Sequence, residues 1–122
     1  MRSVILITPN DKMLFELYQQ WKKKTSKIWL LEGDDRLSIV VENETIYVDQ
    51  EQNAASYYED NELKMTAIQT PYFYQICYSD KDVMQYFLIN SVFDPNSFFD
   101  NDHGDIVPLC KLQNMDILSF IE

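Results

Sequence analysis

The stretch Ser3-Val-Ile-Leu-Ile-Thr8 decides the fold, together with the segment Pro9-Asn-Asp-Lys-Met-Leu-Phe-Glu-Leu-Tyr-Gln-Gln-Trp-Lys-Lys-Lys24 that follows it. The first stretch is a continuous run of β-branched and aliphatic residues, which is typical of a strand covered on both faces. In the second, Leu14, Leu17 and Trp21 recur at helical spacing, and Thr8 and Pro9 suit a helix cap and a first helical position. The sequence therefore predicts a central strand and then a helix over roughly residues 9–24.

Beyond residue 24, short apolar runs alternate with clusters of turn-forming residues. The runs with strand character are Ile28–Leu31, Leu37–Val41, Thr45–Val48, Leu63–Ile68, Tyr72–Tyr78, Val83–Ile89 and Ile106–Leu109. A short helix is predicted between Asp49, its cap, and Asn61, and a helical turn between Asn114 and Ile121. We expect one α+β domain over residues 1–122, in which one N-terminal helix packs on a largely antiparallel sheet of about six or seven strands.

The segments between these runs carry predictions of their own. Gly33-Asp34-Asp35 is a turn between two strands, and Asn43 can take a positive φ in the next tight connection. Ser79–Asp82 predicts a hairpin that joins the two aromatic-rich runs beside it. Asp94–Asp105 has the composition of a loop.

Apolar neighbours in the sequence predict that several aromatic and cysteine side chains are buried. Four aromatic residues are expected in the core: Trp21, Trp29, Phe98 and Phe99. Cys77 and Cys110 also lie among apolar residues and outside any metal-binding spacing, so we expect buried free thiols rather than a disulfide. Neither a signal-peptide core nor an apolar stretch of about 20 residues is present. We therefore expect a cytoplasmic protein that does not enter membranes, as a monomer or weak dimer.

Composition argues against several classes of function. The 20 acidic residues outnumber the 10 basic ones, giving a net charge of −10, which disfavours direct binding to nucleic-acid phosphates. With only two glycines, the chain has no glycine-rich phosphate-binding motif. His103 is the single histidine, and no serine or cysteine lies in a recognisable nucleophile motif. We expect no catalytic residue, no metal site and no cofactor.

The segment Asp100-Asn-Asp-His-Gly-Asp105 is the one local cluster of metal-capable side chains. Counted from Asp100, Gly104 falls fifth where a calcium loop needs a ligand, and Lys111 stands where the closing Glu is required. The cluster is better interpreted as a turn whose Asp and Asn side chains satisfy its own backbone, with Gly104 at a positive φ. A small ligand or metal site in this loop stays open as an alternative.

Charge is distributed very unevenly along the chain. Residues 1–28 carry six basic and two acidic side chains, whereas residues 32–62 carry ten acidic side chains and one basic, Arg36. Acidic residues around an aromatic pair suit an interface with a Lys- and Arg-rich groove. The predicted partner-binding residues are Asp34, Asp35, Glu42, Glu44, Asp49, Glu51, Tyr57, Tyr58, Glu59, Asp60 and Glu62.

In size, acidity, absence of a catalytic motif and α+β outline, the chain resembles the immunity proteins of bacterial toxin systems, including contact-dependent inhibition. The resemblance covers the general character of the whole chain and includes no diagnostic motif. It implies a basic partner protein, often a toxin nuclease domain, that is bound and neutralised. A phage- or plasmid-encoded inhibitor that mimics nucleic acid is the alternative, and its acidic residues would space like phosphates along one face.

Overall fold

A computed structural model describes residues 1–30 and 36–121. In these residues, seven strands form one antiparallel sheet in the order β2-β3-β4-β5-β1-β6-β7. The strands are β1 (Arg2–Thr8), β2 (Ile28–Leu30), β3 (Arg36–Val41), β4 (Glu44–Gln50), β5 (Tyr72–Tyr78), β6 (Phe98–Asp100) and β7 (Ile106–Pro108). The helices are α1 (Met13–Trp21), α2 (Asp60–Met65), α3 (Lys81–Asn90), α4 (Leu109–Leu112) and α5 (Ile117–Ile121), and Ala54–Tyr57 forms a 3₁₀ turn. The predicted α+β class, with an N-terminal helix on an antiparallel sheet, is confirmed.

The main core lies on one face of the sheet, where alternate strand residues meet the apolar sides of α1, α3, α4 and α5. Val4 and Leu6 of β1 are fully buried there, and Trp21 of α1 stacks on Phe87 of α3 with 5.3 Å between ring centroids. The continuous apolar run of β1 is explained by its position, because the strand lies between β5 and β6 and is covered on both faces.

The opposite face of the sheet is divided. Over β1, β5, β6 and β7, the 3₁₀ turn and α2 cover a small second core that includes Ile7, Ala54 and Phe73. No side chain of β2, β3 or β4 belongs to this core among the described residues. We call these two regions the covered half and the open half. In the open half, Trp29, Ser38 and Tyr47 form one row across the strands, and the row continues to Cys77 of β5.

Trp29 is exposed because it lies on the open half of the sheet. Its side chain is 53% exposed, so the prediction that it is a core residue is wrong, whereas Trp21 is buried as predicted. The alternation Ile28-Trp29-Leu30 places Ile28 and Leu30 against the main core and Trp29 on the open half. An apolar pattern indicates that a strand exists, but it does not indicate which of its faces is covered.

Two predicted strands are helices. Val83–Ile89 lies in α3, because the Asp80 carboxylate accepts hydrogen bonds from the backbone N–H groups of Asp82 and Val83 and so begins a helix where a hairpin turn was expected. Leu63 to Met65 lies in α2, where Glu59 and Glu62 form a reciprocal capping box. In both segments the capping residues decide the structure over an ambiguous apolar run.

The remaining differences concern boundaries and burial. The helix predicted over 9–24 is confined to Met13–Trp21, and Thr8 is the buried end of β1 rather than its cap. The short helix predicted after Asp49 is the 3₁₀ turn, preceded by Asn53. Part of the predicted 94–105 loop is β6, in which Phe99 is fully buried and Phe98 partly buried.

Both cysteines are free thiols, as predicted, but their burial was predicted wrongly. Cys110 is exposed on α4, and Cys77 is half-buried on β5, where it pairs with Tyr47 of the open half. Burial, followed by the nearby Asp49 carboxylate, raises the pKa of the Cys77 thiol. The predicted positive φ angles of Asn43 and Gly104 are confirmed at 69° and 94°.

Candidate functional site

A cavity of about 230 Å³ lies beside the covered half, between α2 and the loop after β6. Its lining combines aromatic, acidic and aliphatic residues: Ile5, Tyr57, Tyr58, Glu62, Asp100, Asp102, Gly104 and Ile106. Tyr57 is 78% exposed at the end of the 3₁₀ turn, and the N-cap and first turn of α2 add the exposed Glu59 and Asp60. We call this cavity, together with the N-cap and first turn of α2, the acidic surface.

Tyr58 connects the acidic surface to two buried side chains. Its ring stacks on Phe73 with 5.5 Å between centroids and 19° between planes, and its hydroxyl donates a 2.6 Å hydrogen bond to Asp100 Oδ2. Burial, followed by this hydrogen bond and the neighbouring carboxylates of Asp100, Asp102 and Glu62, raises the pKa of the Tyr58 phenol. The phenol therefore stays protonated and serves as a donor to a carboxylate that is itself only 8% exposed.

The loop after β6 is held by its own side chains. Asp100 Oδ1 accepts a hydrogen bond from the Asp102 backbone N–H, and Asn101 Oδ1 accepts from the N–H groups of His103 and Asp105. The Asn101 amide also donates to the Phe120 carbonyl, which ties the loop to α5. These bonds match the turn interpretation of this segment. They fix the Asp102 backbone at a φ of 63°, beside the cavity.

The predicted partner-binding residues do not form one cluster. Tyr57, Tyr58, Glu59, Asp60 and Glu62 belong to the acidic surface. Glu42 and Glu44 lie at the β3–β4 turn, on the other side of β5 from the strand β1 that lines the cavity.

Glu44 accepts a 3.0 Å hydrogen bond from the Ser79 hydroxyl. Two further predicted residues, Asp49 and Glu51, lie outside the acidic surface, and two are not described. Asp49 lies on the open half, where Arg36 donates two hydrogen bonds to its carboxylate at 2.6 and 3.1 Å. Glu51 is half-buried and its backbone N–H donates to the Phe73 carbonyl. Asp34 and Asp35 lie outside the described residues.

The structure brings together the segment around Tyr58 and the loop that begins at Asp100, which were considered as separate candidate sites in the sequence. Tyr58 and Asp100 are 42 positions apart in the chain, yet they are hydrogen-bonded. Their meeting depends on the pairing of β1 with β6 and on α2 crossing the sheet, and neither leaves a local pattern in the sequence. The sequence analysis therefore did not place Asp100 and Asp102 beside Tyr57, Tyr58 and Glu62.

The described part of the chain contains neither a cluster of metal ligands nor a membrane-spanning helix. Within residues 1–30 and 36–121, no three His, Cys, Asp or Glu side chains converge in a way that could hold a metal ion. None of the helices described there is both long and apolar enough to cross a membrane, and the longest, α3, has ten residues. No family model, no curated protein and no solved structure matches this chain.

Proposed function

We propose that this protein is an acidic inhibitor of the immunity-protein type, which binds and neutralises a basic partner protein in the cytoplasm. A toxin nuclease domain is the partner that fits best, because a nuclease presents Lys and Arg side chains to neutralise phosphates. The observation that carries the proposal is the convergence of two acidic segments around one cavity next to the exposed Tyr57.

The acidic surface has the physical features of a protein-binding site. Glu62 and Asp102 contribute negative charge at the cavity, and the whole chain has a net charge of −10. This charge steers a basic protein toward the surface and speeds association. Tyr57 supplies a large side chain with little conformational entropy to lose, which is typical of residues that dominate binding energy.

Tyr58 has a different part in this proposal from that of Tyr57. Its ring and hydroxyl are engaged by Phe73 and Asp100, so it positions the surface from beneath. Replacing Tyr57 by Ala should speed dissociation of the partner while leaving the fold intact. Replacing Tyr58 by Ala should first lower the free energy of unfolding.

The proposal is tested by capture from a lysate of the source organism, followed by mass spectrometry. Asp60→Lys reverses a charge on the acidic surface, and Asp82→Lys is its matched control, because both residues are exposed in the first turn of a helix. Asp82 lies on α3, against the other face of the sheet. We expect one basic protein to be retained by wild type and by Asp82→Lys, and lost with Asp60→Lys.

Expression of the captured protein in a host cell then tests neutralisation. We expect it to arrest growth, and co-expression of wild type to relieve the arrest. The proposal is wrong if no basic protein is captured, if Asp60→Lys and Asp82→Lys retain it equally, or if co-expression does not relieve its toxicity.

A further inference from the structure

Within residues 1–30 and 36–121, Asp100 is the one charged residue that is buried, with an exposed fraction of 8%. Aspartate is almost never buried without a partner of opposite charge, because removing its charge from water is costly. The hydrogen bonds that hold Asp100 come from two neutral donors, the Tyr58 hydroxyl and the Asp102 backbone N–H. Each carboxylate oxygen accepts one of them and can accept a second. The Asp100 carboxylate therefore has hydrogen-bonding capacity, and a negative charge, that these two donors leave unmatched.

The cavity beside Asp100 supplies no positive charge. Its lining contains no lysine, arginine or histidine among the described residues, while Glu62 and Asp102 add two further carboxylates. Glu62 is half-buried on α2 and Asp102 is exposed on the loop after β6, so the carboxylates come from two separate elements. A buried carboxylate in a cavity whose other charges have the same sign is stabilised by a cationic ligand.

The size and walls of the cavity indicate what kind of cation fits. Its volume is about 230 Å³. Sites for drug-sized ligands occupy roughly 300–1,000 Å³, and one water molecule takes roughly 30 Å³. The half-buried Ile5 and Ile106 supply aliphatic surface, and the exposed Tyr57 supplies an aromatic ring. A single long side chain with a hydrocarbon stem and a charged head matches this combination.

We propose that this cavity is the anchor site for one arginine side chain of the basic partner, an inference that rests on the proposed function. The guanidinium group has five N–H donors in one plane, so it can bond to carboxylates from both α2 and the loop after β6. It also stacks on aromatic rings, such as that of Tyr57. The lysine ammonium concentrates three donors at one point and has no planar face, so it suits the cavity less well.

The anchor site gives the acidic surface a centre and a rim with different effects. The Asp100 carboxylate is already fixed by Tyr58 and the Asp102 N–H, so an arriving arginine requires little reorganisation. An arginine enclosed in the cavity acts mainly on the rate of dissociation. The exposed Glu59 and Asp60 outside the cavity act mainly on the rate of association.

The anchor site can be tested without the partner, by nuclear magnetic resonance with a single blocked residue as the probe. N-acetyl-arginine methylamide carries the arginine side chain on a neutral backbone, and N-acetyl-citrulline methylamide is its uncharged counterpart of nearly the same shape. The chain has two glycines, so isotopic labelling of glycine nitrogen gives two amide signals, and the signal lost in Gly104→Ala reports on the cavity. Titration to about 100 mM at constant ionic strength covers the millimolar affinity expected of one side chain.

We expect the Gly104 signal to shift saturably with the arginine probe and to stay unchanged with the citrulline probe. The corresponding lysine probe should bind several-fold more weakly. Glu62→Gln should raise the dissociation constant of the arginine probe several-fold, and Asp100→Asn should abolish the shift. Glu59→Gln is the matched control for Glu62→Gln, because both residues belong to the capping box of α2 and only Glu62 lines the cavity. Glutamine keeps a side-chain oxygen for the cap in both variants.

The proposal is overturned if the Gly104 signal does not respond to the arginine probe, or if the citrulline or lysine probe binds as tightly. Equal binding of the arginine probe by Glu62→Gln and Glu59→Gln also overturns it. Tighter binding of free arginine than of the blocked residue would assign the cavity to a small metabolite and overturn it as well.

Failure of the anchor site and failure of the proposed function give different results. Capture of a basic protein by a chain that does not bind the arginine probe removes the anchor site and leaves the proposed function in place. Binding of the arginine probe without capture of any basic protein supports the guanidinium site and removes the proposed function.

Discussion

The covered half and the open half of one sheet face are built from similar strands but differ in what lies above them. Over the covered half, Tyr58 stacks on Phe73 and reaches Asp100, so a charged surface is supported by buried contacts. Over the open half, Arg36 lies 4.8 Å from the centre of the Tyr47 ring and pairs with Asp49, and these contacts stay near solvent. The difference is that the charged site of the covered half rests on a packed layer, whereas the ion pair of the open half does not.

The largest expected loss of stability comes from disrupting the packed layer beneath the acidic surface. Phe73→Ala removes the ring on which Tyr58 stacks and opens a cavity in the second core, so the free energy of unfolding should fall by about 3–5 kcal/mol. Urea denaturation followed by circular dichroism measures the change.

Tyr47→Ala is the matched aromatic deletion in the open half. It removes a half-buried ring and its contact with Arg36, and should cost about 1 kcal/mol. Equal losses in the two variants would contradict the distinction between the halves.

The second prediction concerns only the hydrogen bond from the Tyr58 hydroxyl to Asp100. Tyr58→Phe keeps the stacked ring but leaves the buried Asp100 carboxylate without the hydroxyl donor. The unfolding free energy at neutral pH should fall by about 1–3 kcal/mol. Tyr57→Phe, which changes an exposed hydroxyl next in sequence, is the control and should leave stability unchanged. A loss for Tyr58→Phe that is no larger than that for Tyr57→Phe would show that the bond contributes nothing.

The sequence predicts an element of this fold correctly where its apolar pattern fits only one type of secondary structure. The uninterrupted apolar run of β1 and the alternation of β3 were assigned correctly, because each suits a buried strand. The run Val83–Ile89 suits a buried strand and a buried helix equally, and Asp80 as a helix cap was the signal that decided it.

The candidate site was predicted only in part, for a related reason. Tyr57 and the acidic residues of α2 were assigned from the composition of one continuous segment of the chain. Asp100 and Asp102 reach them through a non-local strand pairing, and Trp29 is exposed because nothing in the described chain packs over its face of β2. Such facts depend on how distant segments are placed, which local periodicity does not encode.

The third prediction is a dependence of stability on alkaline pH. The folded-state pKa of Tyr58 lies above its unfolded value of about 10. The stability from its protonated form is therefore complete below about pH 10 and is lost as the pH rises, since the unfolded state releases the proton more readily. Burial likewise raises the pKa of Tyr74 to about 12, so wild type should lose stability through both groups.

Urea denaturation between about pH 9 and pH 11 measures this dependence. Tyr58→Phe should show a shallower decline than wild type, with Tyr74 responsible for part of what remains. An unchanged slope would mean that Tyr58 titrates at its unfolded value.

The smallest expected effect lies at the rim of the acidic surface. Gly104 has a φ of 94°, and a Cβ added there meets no atom within 4 Å, so Gly104→Ala introduces backbone strain without a clash. We expect a cost of about 1 kcal/mol by thermal denaturation. His103→Ala changes the exposed neighbour and should leave both stability and partner binding as in wild type. A stabilised Gly104→Ala would contradict the assigned turn.

The most direct test of the central claim measures association of the captured partner with immobilised protein as salt is raised. For wild type, the association rate should fall steeply with ionic strength, because exposed charges are screened beyond about 8 Å at physiological salt. Asp102→Asn, which suits the positive φ of that residue, should slow association, and Asp82→Asn on α3 should not. An association rate that is indifferent to salt, or that responds equally to the two substitutions, would show that the acidic surface is not where the partner binds.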